Sequence, residues 1–207
     1  MLRVAVTGAS GYMGAELLRL LSVHPRVRIT AVTSDRLAGE RLDKSYPHLR
    51  GLSDLVFQDI DPERLAALSD LVFLALPHME SQRLMPVLRR RGRKAIDLSA
   101  DYRLKDAALY TTWYKAPHED AAGLAEAVYG LPELHRKQIA GASLVASPGC
   151  YPMGAVLATC DPSASSSACR SGRRARASSS SVIRRSCAPP RSPIASHRTC
   201  AARAPAG

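Results

Sequence analysis

Seven residues near the start constrain this chain most: Gly8-Ala-Ser-Gly11-Tyr-Met-Gly14. Ahead of them, residues 2–7 are a short apolar run rich in β-branched side chains. Behind them, residues 15–23 carry Leu at helical spacing. Glycines spaced by three at such a junction mark a strand that turns tightly into a helix over bare backbone. A helix N-terminus reached through bare backbone stabilises a pyrophosphate. Gly8, Ser10, Gly11, Tyr12 and Gly14 are therefore the expected cradle of a dinucleotide.

The alternation continues. Residues 27–33 read as a second strand, with His24-Pro25 as the break before it. Asp61-Pro62-Glu63 has the N-cap and first-turn proline of a helix start. Residues 70–77 form a continuous apolar run, the pattern of a strand buried on both faces. A helix is predicted over 81–91, stopped at Gly92, then strands over 94–99 and 144–146. This order implies an α/β fold, a doubly wound and mostly parallel (Rossmann-type) sheet. Ligands of such sheets lie at the carboxyl ends of the strands. The 8–14 turn, Ser34 to Arg36, Pro77-His78, the 100–103 segment and Gly149-Cys150 all follow predicted strands, so they are expected to share one site.

At the end of the second strand stands Ser34-Asp35-Arg36. Ser34 and Arg36 suit the 2′-phosphate of NADP, whereas Asp35, if turned inward, would repel it and suit NAD. The balance favours NADP, and Asp35 and Arg36 also read as solvated loop charges. Cys150 lies between Pro148-Gly149 and Tyr151-Pro152, before a helical stretch over 153–158. A lone cysteine is ordinarily a small buried hydrophobe. On the edge where a cofactor belongs, at a helix N-terminus, it is instead a candidate nucleophile whose thiolate the helix stabilises.

Composition divides the chain near residue 159. Up to there Lys and Arg number 20 against 17 Asp and Glu; beyond it nine Arg face only Asp161. Of the net charge of +11, the tail carries +8 and the first part only +3, which gives no reason to expect nucleic-acid binding by the first part. Tyr151 is the last aromatic and Leu157 the last Leu, while Cys160, Cys169, Cys187 and Cys200 all fall in the tail. Three readings of the tail stand: a frameshifted gene end, which leads, a disordered basic arm, and a metal or disulfide cluster, which the wide Cys spacings disfavour. The expected organisation is a cofactor domain over 1–146, the start of a catalytic domain over 147–159, and a disordered tail over 160–207. No run of 18 apolar residues suggests a membrane span, and residues 1–6 enter a strand pattern without a signal peptide, so a cytoplasmic location is expected.

The 8–14 turn, Phe73-Leu-Ala-Leu-Pro-His78, Ile96-Asp-Leu-Ser-Ala-Asp-Tyr-Arg-Leu104, Ala127-Val-Tyr-Gly-Leu-Pro-Glu133 and Ser147-Pro-Gly-Cys-Tyr-Pro152 resemble the N-acetyl-γ-glutamyl-phosphate reductases. The resemblance runs from residue 1 to about 158, and closer to these than to the aspartate-semialdehyde or lysine-pathway enzymes. It implies an NADP-dependent oxidoreductase of arginine biosynthesis, acting on a small-molecule acyl phosphate, homo-oligomeric, without a metal. It implies Cys150 as nucleophile, Pro77 and His78 near the nicotinamide, and Asp101 and Arg103 near the substrate. His78 also reads as a loop cap, and Asp101 with Arg103 as a local ion pair.

Two departures stand out. Met153 replaces the small residue usual in the family, and past Ala158 the resemblance stops, removing most of the second domain with its catalytic His; His197 is no substitute. An inactive polypeptide is therefore expected. The rivals are a non-catalytic dinucleotide-binding module and an interaction protein acting through its Arg-rich tail.

Overall fold

The computed structural model describes residues 1–50 and 54–159. The elements are β1 (Leu2–Thr7), α1 (Tyr12–Ser22), β2 (Val27–Thr33), α2 (Leu42–Ser45), a 3₁₀ turn (Pro47–Leu49), β3 (Phe57–Gln58), α3 (Pro62–Leu68), β4 (Leu71–Leu74) and α4 (Ser81–Arg90). They continue as β5 (Lys94–Asp97), α5 (Ala107–Tyr114), α6 (Ala121–Glu126), β6 (Val128–Tyr129), α7 (Pro132–Gly141), β7 (Leu144–Ala146) and α8 (Cys150–Thr159). The strands form one seven-stranded sheet in the order β3-β2-β1-β4-β5-β7-β6. Every pair of named strands runs parallel. The doubly wound sheet read from the sequence is the fold observed.

Side chains alternate across β1 and fill two cores. Val4 and Val6 pack with Leu18 of α1, Val32, Leu42 and Phe57 on one face. Ala5 faces the other way, with Ala31, Val72, Leu74, and Leu84, Met85 and Leu88 of α4. Chain order reverses at β1: β2 and β3 lie to one side of it and β4 to the other. The 8–14 turn leaves β1 at that switch point, where such sheets open a crevice.

Observed boundaries refine several expectations. β1, β2 and β7 have the expected limits, and Asp61 caps α3 by accepting from the Glu63 and Arg64 amides. Helix α1 begins at Tyr12 rather than at residue 15, because extended Gly11 is its N-cap and its carbonyl takes the Ala15 amide at 2.9 Å. β4 spans Leu71–Leu74 and stops short of residue 77. There the Ala75 carbonyl runs against Gly8, where a Cβ would lie 2.2 Å from its oxygen. The final helix begins at Cys150 itself. The tail lies outside the described residues.

Candidate active site

The glycine turn has two kinds of glycine. Gly8 has a left-handed φ of 62°, and a side chain there would strike Ala75. At Gly14 a Cβ would come within 2.5 Å of the Ala9 Cα. Both positions are filled by the protein's own backbone. Gly11 differs: the nearest atom to an added Cβ is the Gly8 oxygen at 3.4 Å. Nothing in the fold forbids a side chain at Gly11, and the bare space beside it opens onto the first turn of α1, whose amides lack intrahelical acceptors. That cradle fits a pyrophosphate. Tyr12, at 98% exposure, stands at its rim.

The end of β2 is tied into the turn. Ser34 is buried; its Oγ donates to Ser10 Oγ at 2.7 Å and accepts the Leu37 amide. The Ser10 hydroxyl proton is thereby left free for a ligand. Asp35 and Arg36 are exposed, and Arg36 makes no ion pair among the described residues. A cation without a carboxylate partner on the loop that follows Ser34 suits a sugar phosphate. Tyr46, which the sequence gave no reason to single out, donates to the Ala9 carbonyl at 3.1 Å and braces the turn from outside.

Across the switch point, Pro77 and His78 are exposed at the end of β4. His78 does more than cap a loop: its Nδ1 lies 2.8 Å from Oδ1 of Asp101, which follows β5. Asp101 is fully buried and forms no ion pair with Arg103. The Met79 amide and the Tyr110 hydroxyl also donate to Oδ1, at 2.9 and 3.0 Å. Burial and the Asp101 charge push the Tyr110 phenol up from its ordinary range. Behind them Asp97 is buried, taking Ser81 and Ser99 hydroxyl protons at 2.7 and 2.8 Å. Burial raises its pKa above the usual carboxylate range.

The turn that carries Cys150 follows β7. Arg103 donates from Nε to the Ser147 carbonyl at 2.8 Å and from Nη2 to Leu98 at 3.0 Å. Its Nη1 would lie 3.3 Å from a Cβ on Gly149, so the guanidinium underlies the turn that presents Cys150. Cys150 is a free, exposed thiol at the first residue of α8. The Cys150 and Tyr151 amides precede the helical hydrogen-bond ladder, which opens with Met153 donating to the Gly149 carbonyl at 3.0 Å. Pro152 has no amide proton, so the Cys150 and Tyr151 amides are the two first-turn donors without an intrahelical acceptor.

The profile of the family "Semialdehyde dehydrogenase, NAD binding domain" matches residues 3–142. The chain belongs to this family. Among curated relatives, it is 57% identical over 158 residues to the N-acetyl-gamma-glutamyl-phosphate reductase of Syntrophobacter fumaroxidans, an alignment covering 76% of this chain and 46% of that protein. The reductase of Pelobacter propionicus is 51% identical over 157 residues, 76% of this chain and 45% of its own length. The chain thus spans less than half the length of the curated relatives it matches. Two solved structures share the fold. Aspartate semialdehyde dehydrogenase II from Vibrio cholerae has a TM-score of 0.56 at 17% identity, covering 76% of this chain and 45% of its own. The Candida albicans enzyme with NADP has 0.55 at 18%, covering 75% and 45%.

In this semialdehyde dehydrogenase domain, parallel strands bring the five expected segments to one sheet edge. Sequence reading missed the supports: Tyr46, Ser99, Tyr110, Gln82, whose amide donates to the Tyr110 oxygen at 2.7 Å, and His118, whose Nε2 lies 2.9 Å from the Asp101 carbonyl. Tyr110 was the most accessible of these, since Asp106 four residues earlier is a helix N-cap, accepting the Ala108 amide at 2.7 Å. Among the described residues, no helix is long and apolar enough to cross a membrane, and no cluster of His, Cys, Asp or Glu could hold a metal.

Proposed function

We propose that residues 1–159 are the cofactor-binding half, with the nucleophile, of an NADP-dependent N-acetyl-γ-glutamyl-phosphate reductase. The observation that carries this is the open cradle at Gly11 on the same sheet edge as the exposed Cys150 thiol. Gly11 and Tyr12 would hold the pyrophosphate on a turn that Gly8 and Gly14 shape, Ser10 and Arg36 would hold the 2′-phosphate with Ser34 orienting Ser10, and Pro77 and His78 would border the nicotinamide. When bound, NADPH supplies the hydride.

The thiolate of Cys150 attacks the acyl carbon of the acyl phosphate. A C–S bond forms, the C–O bond to phosphate breaks, and inorganic phosphate leaves with the electron pair, giving a thioester. The Cys150 and Tyr151 amides stabilise the oxyanion. Arg103 fixes the turn and borders the substrate's phosphate. Hydride addition to the thioester carbon would leave a hemithioacetal on Cys150, whose collapse breaks the C–S bond and releases the semialdehyde and the thiolate. No acid–base group hydrogen-bonds the Cys150 thiol among the described residues, and such help contributes about 10²–10⁴-fold in rate. This polypeptide alone is therefore expected to bind the cofactor with little or no turnover.

Calorimetric titration of the full chain with NADP⁺ tests the reading. Binding is expected in the parent and in Cys150→Ala and is lost in Gly11→Asp. A folded parent that binds no dinucleotide refutes the cofactor assignment. Steady phosphate-dependent reduction of NADP⁺ with the semialdehyde, abolished by Cys150→Ala, refutes the expected inactivity.

A further inference from the structure

Asp101 sits behind His78, and a buried carboxylate is costly to keep unless its hydrogen bonds are needed. It is 0% exposed. Its Oδ1 collects His78 Nδ1 at 2.8 Å, the Met79 amide at 2.9 Å and the Tyr110 hydroxyl at 3.0 Å. Its Oδ2 is buried with no hydrogen-bond partner among the described residues. Three donors converge on one oxygen while the other is idle, so the carboxylate sets the direction of the groups around it.

Proton bookkeeping fixes what His78 presents. The Glu119 amide donates to Gln82 Oε1 at 2.7 Å, which turns the Gln82 NH₂ toward the Tyr110 oxygen, also at 2.7 Å. The single Tyr110 proton goes to Asp101. No proton of Tyr110 remains for His78 Nε2, 3.5 Å away. Asp101 Oδ1 accepts, so Nδ1 carries the proton of the neutral imidazole, and in that form Nε2 is the ring's acceptor. The ring is flanked by Tyr114 and Tyr110, with centroids 4.5 and 5.7 Å away, which opposes its rotation. Beside it, Met79 has a φ of 75°, a left-handed conformation uncommon outside glycine, and its amide is held by the same carboxylate oxygen.

We infer that Asp101 is a positioning residue that holds His78 as the Nδ1–H tautomer, with Nε2 a hydrogen-bond acceptor, and locks the 77–79 turn beside the nicotinamide half of the cofactor. The inference rests on the dinucleotide reading above: with the phosphate-binding Ser10 and Arg36 on the β2 side of the switch point, the other half of the molecule extends over the end of β4. A carboxamide N–H is the chemistry an unprotonated Nε2 receives, and a protonated Nε2 would refuse it.

The test uses the full chain with isotope-labelled histidine. Long-range nitrogen–proton NMR correlations identify the tautomer, and His78→Gln assigns the signal. The parent is expected in the Nδ1–H form. Asp101→Ala is expected to move it to Nε2–H and to weaken NADP⁺ binding by about tenfold, the loss of one hydrogen bond. Adenosine 2′,5′-bisphosphate lacks the nicotinamide and should bind both proteins equally. Tyr110→Phe removes one donor but leaves the His78 contact, so it should keep the Nδ1–H form. A parent found as Nε2–H overturns the proposal, as does Asp101→Ala with unchanged tautomer and unchanged NADP⁺ affinity. An Asp101→Ala chain that loses both ligands together has lost its fold, and the parent and Tyr110→Phe tautomers then decide. If the parent binds neither ligand, the dinucleotide reading falls, while the tautomer still decides whether Asp101 sets His78.

Discussion

The two sides of the sheet are covered differently. Around β1, both faces are closed: Val4, Ala5 and Val6 are all fully buried, between α1 and α2 on one side and α3 and α4 on the other. From β5 to β7 the described residues close only one face. Ala95, Leu144 and Ala146 are buried against the α4 side, whereas Ile96 and Val145, on the opposite face, are half-buried. Helices α7 and α8 bury no residue. The proposed site straddles this division. Its cofactor cradle belongs to the doubly covered half, so its shape is enforced by packing. Its nucleophile stands on a helix that includes Tyr151 at 88% exposure and Met153 and Leu157 at about 40%. The two components are built on unequal foundations.

That comparison breaks most visibly in the cores. Leu74→Ala, at a fully buried position in the larger core, is expected to destabilise by about 3 kcal/mol in urea denaturation. Ile96→Ala, half-buried on the open face, should cost about 1 kcal/mol or less, because less apolar area leaves water on folding. Equal costs would mean that both faces of β5 are closed in solution.

The glycines sharpen the contrast between fold and ligand. Gly14→Ala forces a methyl to 2.5 Å from the Ala9 Cα, an overpacking expected to cost about 1–3 kcal/mol. Gly11→Ala meets nothing closer than 3.4 Å, so its melting temperature should stay within about 2 °C of the parent, while NADP⁺ affinity falls because the cradle is narrowed. Calorimetry and thermal melts on the same two variants separate these effects. A Gly11→Ala chain that keeps full NADP⁺ affinity would show that the ligand does not approach this backbone.

How much of this was legible in the sequence follows the same division. β1 and β2 show the apolar and β-branched runs of buried strands, and their limits could be read directly. β3 and β6, of two residues each, have no period of their own; register with their neighbours makes them strands. Helix α5 buries only Tyr110, so no apolar stripe announces it. The site was legible as a set of strand ends, because a parallel sheet brings all of them to one edge. Its internal bonding was not. That Asp101 meets His78 rather than Arg103 depends on the register of β4 with β5 and on Tyr110, whose helix was unread.

Met79 offers a smaller test on the β4 side. Its left-handed φ strains any residue with a Cβ. Met79→Gly relieves that strain but frees the unfolded chain, so the net change should be a stabilisation of no more than about 1 kcal/mol. Marked destabilisation would mean that the Met79 side chain packs into structure rather than standing 39% exposed.

The smallest effect joins the two halves at the opposite sheet edge. Asp70, just ahead of β4, accepts from the Arg3 amide and guanidinium on β1 and lies 3.7 Å from Arg93, just ahead of β5. These bonds hold its carboxyl at about 2, below the usual 3.8. A depressed carboxylate stabilises the folded chain above its unfolded value, and that contribution fades as pH falls from about 4 through about 2. Asp97, raised by burial, has the opposite sign: its contribution is present in acid and is lost as pH rises through its folded value. Asp70→Asn should therefore flatten the acid limb of a stability–pH profile, and Asp97→Asn should be tolerated better at neutral pH than in acid. Because Asp70 is only half-buried, salt should weaken its effect and leave that of buried Asp97 nearly unchanged. An acid limb that Asp70→Asn leaves intact would place the tie between the two halves elsewhere, in the β1–β4 ladder alone.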